Sequence, residues 1–107
     1  MAAERLGEFE EFTLLAVRAL GQSTYGVPVQ QFVEQHTGRR ASIGAIYAAL
    51  DRLESKGFVR SIIGEPTAAR GGKRKRLFSV TPAGLRTARE LRRVREQIWR
   101  TIEDLQS

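Results

Sequence analysis

Between Arg39 and Val59 the chain reads RRASIGAIYAALDRLESKGFV, a segment that carries its own start and stop signals for a helix and so limits what the remainder can be. Ser42 can accept a hydrogen bond from the first free N–H groups, and Gly57 can adopt the left-handed conformation that ends a helix, which predicts a helix over Ile43 to Lys56. Ile43, Ile46, Tyr47, Leu50 and Leu53 recur at the spacing of one helical face, which is expected in a core. The opposite face near the N-terminus offers Gly44, Ala45, Ala48 and Ala49. So smooth a surface lets a helix end approach another macromolecule closely.

The flanking segments suit that helix. Upstream, a shorter helix is expected from about Val27 to His36, with Pro28 in its first turn, Val29, Phe32 and Val33 facing inward and Gly38 as terminator. Thr37 to Ala41 joins the two helices. Downstream, Val59 to Gly64 runs out and Leu77 to Val80 runs back, with Pro66 and Gly71-Gly72 as turn formers and Arg70 to Arg76 in or near the turn. A short bracing helix, a longer second helix and a basic hairpin make a winged helix-turn-helix, in which the second helix is the recognition helix and the hairpin the wing.

Two further helices enclose this unit. Glu8 to Leu20 opens with three acidic residues at the positive end of the helix dipole and continues with Phe9, Phe12, Leu15, Ala16, Ala19 and Leu20 at helical spacing, widened by Leu14 and Val17. Thr81 as cap and Pro82 at the first position start a last helix that should reach about Leu105, roughly 36 Å at 1.5 Å per residue. Leu85, Ala88, Leu91, Val94, Ile98, Ile102 and Leu105 form one apolar stripe along it, and Trp99 widens the stripe. A helix of that length projects beyond a small domain, and the economical partner for its far half is the same helix of a second copy. Phe9, Phe12, Leu91, Val94, Ile98, Trp99, Ile102 and Leu105 are therefore assigned to a dimer interface. The expected fold is mainly α (α+β). Residues 1–80 form a winged helix-turn-helix, and residues 81–107 a C-terminal dimerisation helix belonging to the same single domain.

Charge points to the partner. The formal net charge is +6, but residues 1–35 hold two basic and five acidic side chains whereas residues 36–80 hold ten and three. A cationic excess confined to the helix and wing suits the phosphate backbone of nucleic acid. Arg39, Arg40, Lys56, Arg60, Arg70, Lys73, Arg74, Lys75 and Arg76 are the expected backbone contacts. Ser42, Gly44, Ala45 and Ala48 are the expected groove-facing start of the recognition helix. Tyr47 lies on the inward face, with its hydroxyl within reach of a phosphate.

Other chemistries find few residues. The chain has no cysteine and a single histidine, His36, at a helix end without a neighbouring carboxylate pair, so it reads as a surface or capping group. No nucleophile with its base, metal cluster or phosphate loop can be assembled, so neither an enzyme nor a bound metal or cofactor is expected. No apolar run approaches a membrane span and the N-terminus is acidic, which fits a protein used in the cytosol. The rival reading is an architectural or RNA-associated basic protein that binds without sequence choice.

Three segments together resemble the PadR family of bacterial transcriptional regulators: Tyr25-Gly26, the block from Ala45 to Val59 and the run from Lys75 to Gly84. The resemblance extends from about Phe9 to Leu105, and the single C-terminal helix is similar to the short subfamily. Two departures stand out: Ala48, where members often have proline, and Leu77-Phe78, where they often have two aromatic residues. The resemblance implies a homodimer with crossed C-terminal helices, two winged domains on a roughly palindromic operator in double-stranded DNA, and repression. It also implies, for some members, release by a small aromatic effector near the dimer interface, for which Trp99 would offer a flat wall.

Overall fold

The computed structural model describes residues 6–65 and 74–106. Four helices and one hairpin follow in the order α1 (Glu8–Ala19), α2 (Gly26–Thr37), α3 (Ile43–Ser55), β1 (Val59–Ile63), β2 (Arg76–Val80) and α4 (Pro82–Gln106). The strands pair antiparallel, with Val59 opposite Val80 and Ile63 opposite Arg76. Phe78 also exchanges two backbone hydrogen bonds with Thr24, at 2.7 and 3.0 Å, so the segment before α2 closes the outer side of β2. The result is a winged helix fold with a long C-terminal helix.

The core lies where α1, α2, α3 and the hairpin meet. Leu14, Val17, Val29, Ile46, Leu50, Leu53, Val59 and Phe78 are fully buried there. Two expectations about facing are corrected. On α1, Glu10, Glu11, Thr13, Leu14, Ala16 and Val17 are buried while Phe12, Leu15 and Leu20 are exposed, so the broad apolar surface expected there is divided: Leu14, Ala16 and Val17 face the core and the other three face outward. Glu10 and Thr13 tolerate burial because their polar atoms are satisfied, Thr13 by donating to the Phe9 carbonyl at 2.8 Å. On α3, Ala49 is fully buried and Ile43 is exposed, the reverse of their expected faces. An alanine fits against the core where the backbones lie close, and Ile43 sits at the first turn, beyond the edge of the packed surface.

Glycine has a steric role at two helix starts. A Cβ on Gly26 would stand 2.5 Å from the Tyr47 ring, so that ring packs directly on the first turn of α2. A Cβ on Gly84 would stand 2.1 Å from the Phe58 carbonyl oxygen, so α4 begins against bare backbone. Thr81 fixes that start: its N–H donates to Phe58 O, its hydroxyl donates to Gly57 O at 2.6 Å and accepts from Gly84 N–H at 3.1 Å. Past Ala88 no described residue of the 25-residue last helix is buried, and the described molecule measures 59 Å along its longest axis.

Candidate nucleic-acid interface

α3 presents two unlike sides. Ile46, Ala49, Leu50 and Leu53 are sealed in the core, while Ser42, Gly44, Ala45 and Ala48 lie exposed together over the first turns. The Ser42 hydroxyl accepts from Ala45 N–H at 3.0 Å, so it caps the helix as expected. The turn ahead of it is held by α2. Gln30 Nε2 donates to the Ala41 carbonyl and Glu34 Oε2 accepts from the Ala41 N–H, both at 2.8 Å, so both polar backbone groups of Ala41 are satisfied from α2. Gly38 makes the bend in the left-handed conformation, at φ 71°. These bonds set the direction in which α3 leaves the turn.

The cations divide into outward and committed groups. Arg40, Arg60 and Arg74 are exposed. Arg39 is exposed and pairs with Glu8 at 2.8 Å, an ion pair that water screens on both sides. Lys75 lies half-buried, its Nζ 4.0 Å from the centroid of the Tyr25 ring. Arg70 and Lys73, expected at the wing tip, fall outside the described residues.

Lys56 and Arg76 depart from expectation, because their charged ends are engaged within the protein. Lys56 Nζ and Arg52 Nε each meet Glu10 at 2.8 Å. Burial alone would push the Glu10 carboxyl up, but hydrogen bonds from Lys56, the Gly7 N–H and Arg52 outweigh it and hold the group at about 2. Arg76 Nη1 lies 2.8 Å from Asp51 Oδ1, and its Nη2 lies 2.6 Å from Glu54 Oε1. The side chains that make these contacts, Glu10, Asp51 and Glu54, were not singled out from sequence. Their signal was the i, i+3 spacing of Asp51 and Glu54 on α3 ahead of a basic strand.

Tyr47 is half-buried, its ring on Gly26 and tilted at 55° to Phe78 with centroids 6.3 Å apart, which fits the inward position read for it. His36 is exposed and stacks on Phe32 at 4.0 Å between centroids. Among the described residues no group of acidic or histidine side chains could hold a metal, and no helix is long and apolar enough to cross a membrane.

The opposite end carries the apolar residues assigned to a second copy. Val94, Ile98, Trp99, Ile102 and Leu105 are exposed on α4 and Leu91 is half-buried, whereas Phe12, exposed on α1, lies with Phe9, Val33, Thr37, Arg39 and Arg40 around a different hollow. Phe9 instead packs against the core of its own chain. Arg95 ties α4 to α1 through Glu11 at 2.6 Å. Leu15, Leu85, Ala88 and Trp99 form the apolar walls of an open groove of about 390 Å³, with Glu11 and Arg95 at its margin.

The profile of the PadR-like family of transcriptional regulators matches residues 14–90, a span that includes α2, α3, both strands and the start of α4. The chain belongs to that family. As a PadR-like protein it is a DNA-binding transcriptional regulator and not an enzyme. Comparison with curated proteins returns no match. Among solved structures, a PadR family regulator from Eggerthella lenta is 22% identical, with 92% of this chain and 85% of that chain covered and a TM-score of 0.69. A PadR-like transcription factor from Bacteroides fragilis is 18% identical over 91% and 88% of the two chains, with a TM-score of 0.74. A PadR-like regulator from Bacillus cereus is also 18% identical, over 91% and 89%, with a TM-score of 0.70. At these identities the likeness is one of fold.

Proposed function

We propose that this PadR-like chain is a homodimeric repressor that reads a two-fold operator by placing the first turns of α3 in the major groove and the wing on the adjoining backbone. The observation that carries the reading is the exposed small-residue patch of Ser42, Gly44, Ala45 and Ala48, set beside the cations Arg39 and Arg40. Side chains this short allow the helix backbone close to base edges, where Ala methyls meet thymine methyls and the Ser42 hydroxyl meets a phosphate or base edge. Arg60 and Arg74 serve as backbone contacts, together with Arg70 and Lys73, for which the sequence alone gives this role.

Dimerisation is supported by the exposed face of α4, where Ile98 is 55% and Trp99 61% accessible in a single protomer. A large apolar surface in an otherwise charged helix is stabilised by a second copy, and two-fold pairing would set two α3 helices for neighbouring half-sites. The groove at Trp99 gives a planar aromatic effector a place to stack, and release of DNA requires that it bind the DNA-free arrangement more tightly.

Selection from a random duplex library, followed by anisotropy titration of the selected site and a shuffled site at equal salt, tests the reading. A palindromic selected site bound far more tightly than its shuffled form supports it. Equal affinity for both supports the architectural reading instead. The chain has one tryptophan, so titration with planar phenolic acids and aromatic drugs reports on Trp99 alone, and operator release should accompany its quenching.

A further inference from the structure

Arg76 opens β2, and its guanidinium meets three acceptors on two other elements. Nη1 donates to Asp51 and Nη2 to Glu54 on α3, while Nε donates to the Ser61 hydroxyl on β1 at 3.2 Å. Glu54 completes the triangle with its other oxygen, which accepts both the Ser61 N–H at 3.1 Å and the Ser61 hydroxyl at 2.7 Å. The Phe78 ring lies under the guanidinium, 4.7 Å from Cζ to centroid. Arginine's fixed planar fork is what allows one side chain to hold three acceptors; a lysine ammonium has neither the reach nor the geometry.

We infer that Arg76 is a positioning residue for DNA binding: it locks the wing to the recognition helix so that both meet the duplex at one angle, and it does not itself grip phosphate. The inference deepens the DNA-binding reading above and rests on it. A phosphate at Arg76 would have to displace two carboxylates from the same guanidinium and then lie next to them. The exposed Arg74 has no such neighbours in the structure described.

The test compares R76A, R76K, E54Q and R74A by anisotropy on the selected operator and on random duplex across a salt series. Positioning predicts that R76A and E54Q both weaken operator binding about tenfold or more with the salt slope unchanged, and that R76K fails to restore it. Phosphate contact predicts the opposite pattern. R76A would lower the slope magnitude by about 0.9 per contact, R76K would recover most affinity, and E54Q would bind as well as wild type or better, any of which overturns the proposal. R74A, expected to lower the slope, calibrates the assay. Thermal unfolding checks each variant; if R76A fails to fold, E54Q and R76K still give opposite predictions. A wild-type chain that does not distinguish operator from random DNA overturns the operator reading alone, because the same comparison of variants can be read on random duplex.

Discussion

Replacing Gly44 by alanine separates what the fold wants from what DNA binding wants. Gly44 is the second residue of α3, and a Cβ built there meets nothing closer than the Ser42 hydroxyl at 4.0 Å. The methyl therefore fits the free protein without strain. Removing glycine's freedom in the unfolded chain should stabilise the fold by about 0.4 to 1 kcal/mol, with the first-turn position placing it near the lower end. For a domain of this size about 0.5 kcal/mol raises Tm by roughly 2 to 4 °C. DNA binding should move the other way. If α3 comes to the groove with its backbone at Gly44 close to the bases, the added methyl enters that gap, and a loss of about 1.4 kcal/mol is a tenfold fall in operator affinity. Calorimetry on the free protein and anisotropy on the operator measure the two effects on the same preparation. A G44A chain that melts higher and binds the operator as tightly as wild type would refute the close approach.

Gly84→Ala should destabilise although alanine is the better helix former, because its methyl would meet the Phe58 carbonyl oxygen at 2.1 Å; a net loss of about 1 to 3 kcal/mol by denaturant titration is expected, and a gain would refute the packing. Glu10, held at about 2 against an ordinary 4.5, contributes roughly 3 kcal/mol that is fully present above about pH 4.5 and is lost as pH falls toward 2. E10Q should therefore be less stable at pH 7 and should show a flatter loss of stability across that acid window, whereas an unchanged acid profile would contradict the ion-pair account. Ile98→Glu with Ile102→Glu should give a folded monomer by light scattering, because both side chains are exposed in the single chain and charges would line the face proposed for dimerisation; a wild-type monomer at micromolar concentration would refute that proposal.

Much of the fold was legible because its boundaries rest on local chemistry. Ser42, Gly38, Gly57 and the Thr81-Pro82 pair act on the backbone beside them, and each ends or starts a helix where expected. The burial of Glu10 and Thr13 on α1 was not legible, because both are polar by type: Thr13 is satisfied by the Phe9 carbonyl one turn back, and the cations that pair with Glu10 are too distant in sequence for any periodicity to show them. Arg52 and Lys56, which neutralise Glu10, lie 42 and 46 residues away. The candidate interface divided in the same manner. The small patch on α3 follows from helical spacing alone, whereas a run of basic residues cannot say which cation is turned inward. Arg76 differs from Arg74 because the fold sets it against Asp51 and Glu54 on α3.

Chemical protection of bound operator reports whether α3 occupies the major groove, because dimethyl sulfate methylates guanine N7 in the major groove and adenine N3 in the minor groove. If α3 enters the major groove in a two-fold dimer, guanine N7 should be protected in two symmetric clusters about 10 to 10.5 base pairs apart, or a multiple of that spacing, and A45R should abolish the protection. Protection of adenine N3 alone, or scattered protection without symmetry, would contradict the claim.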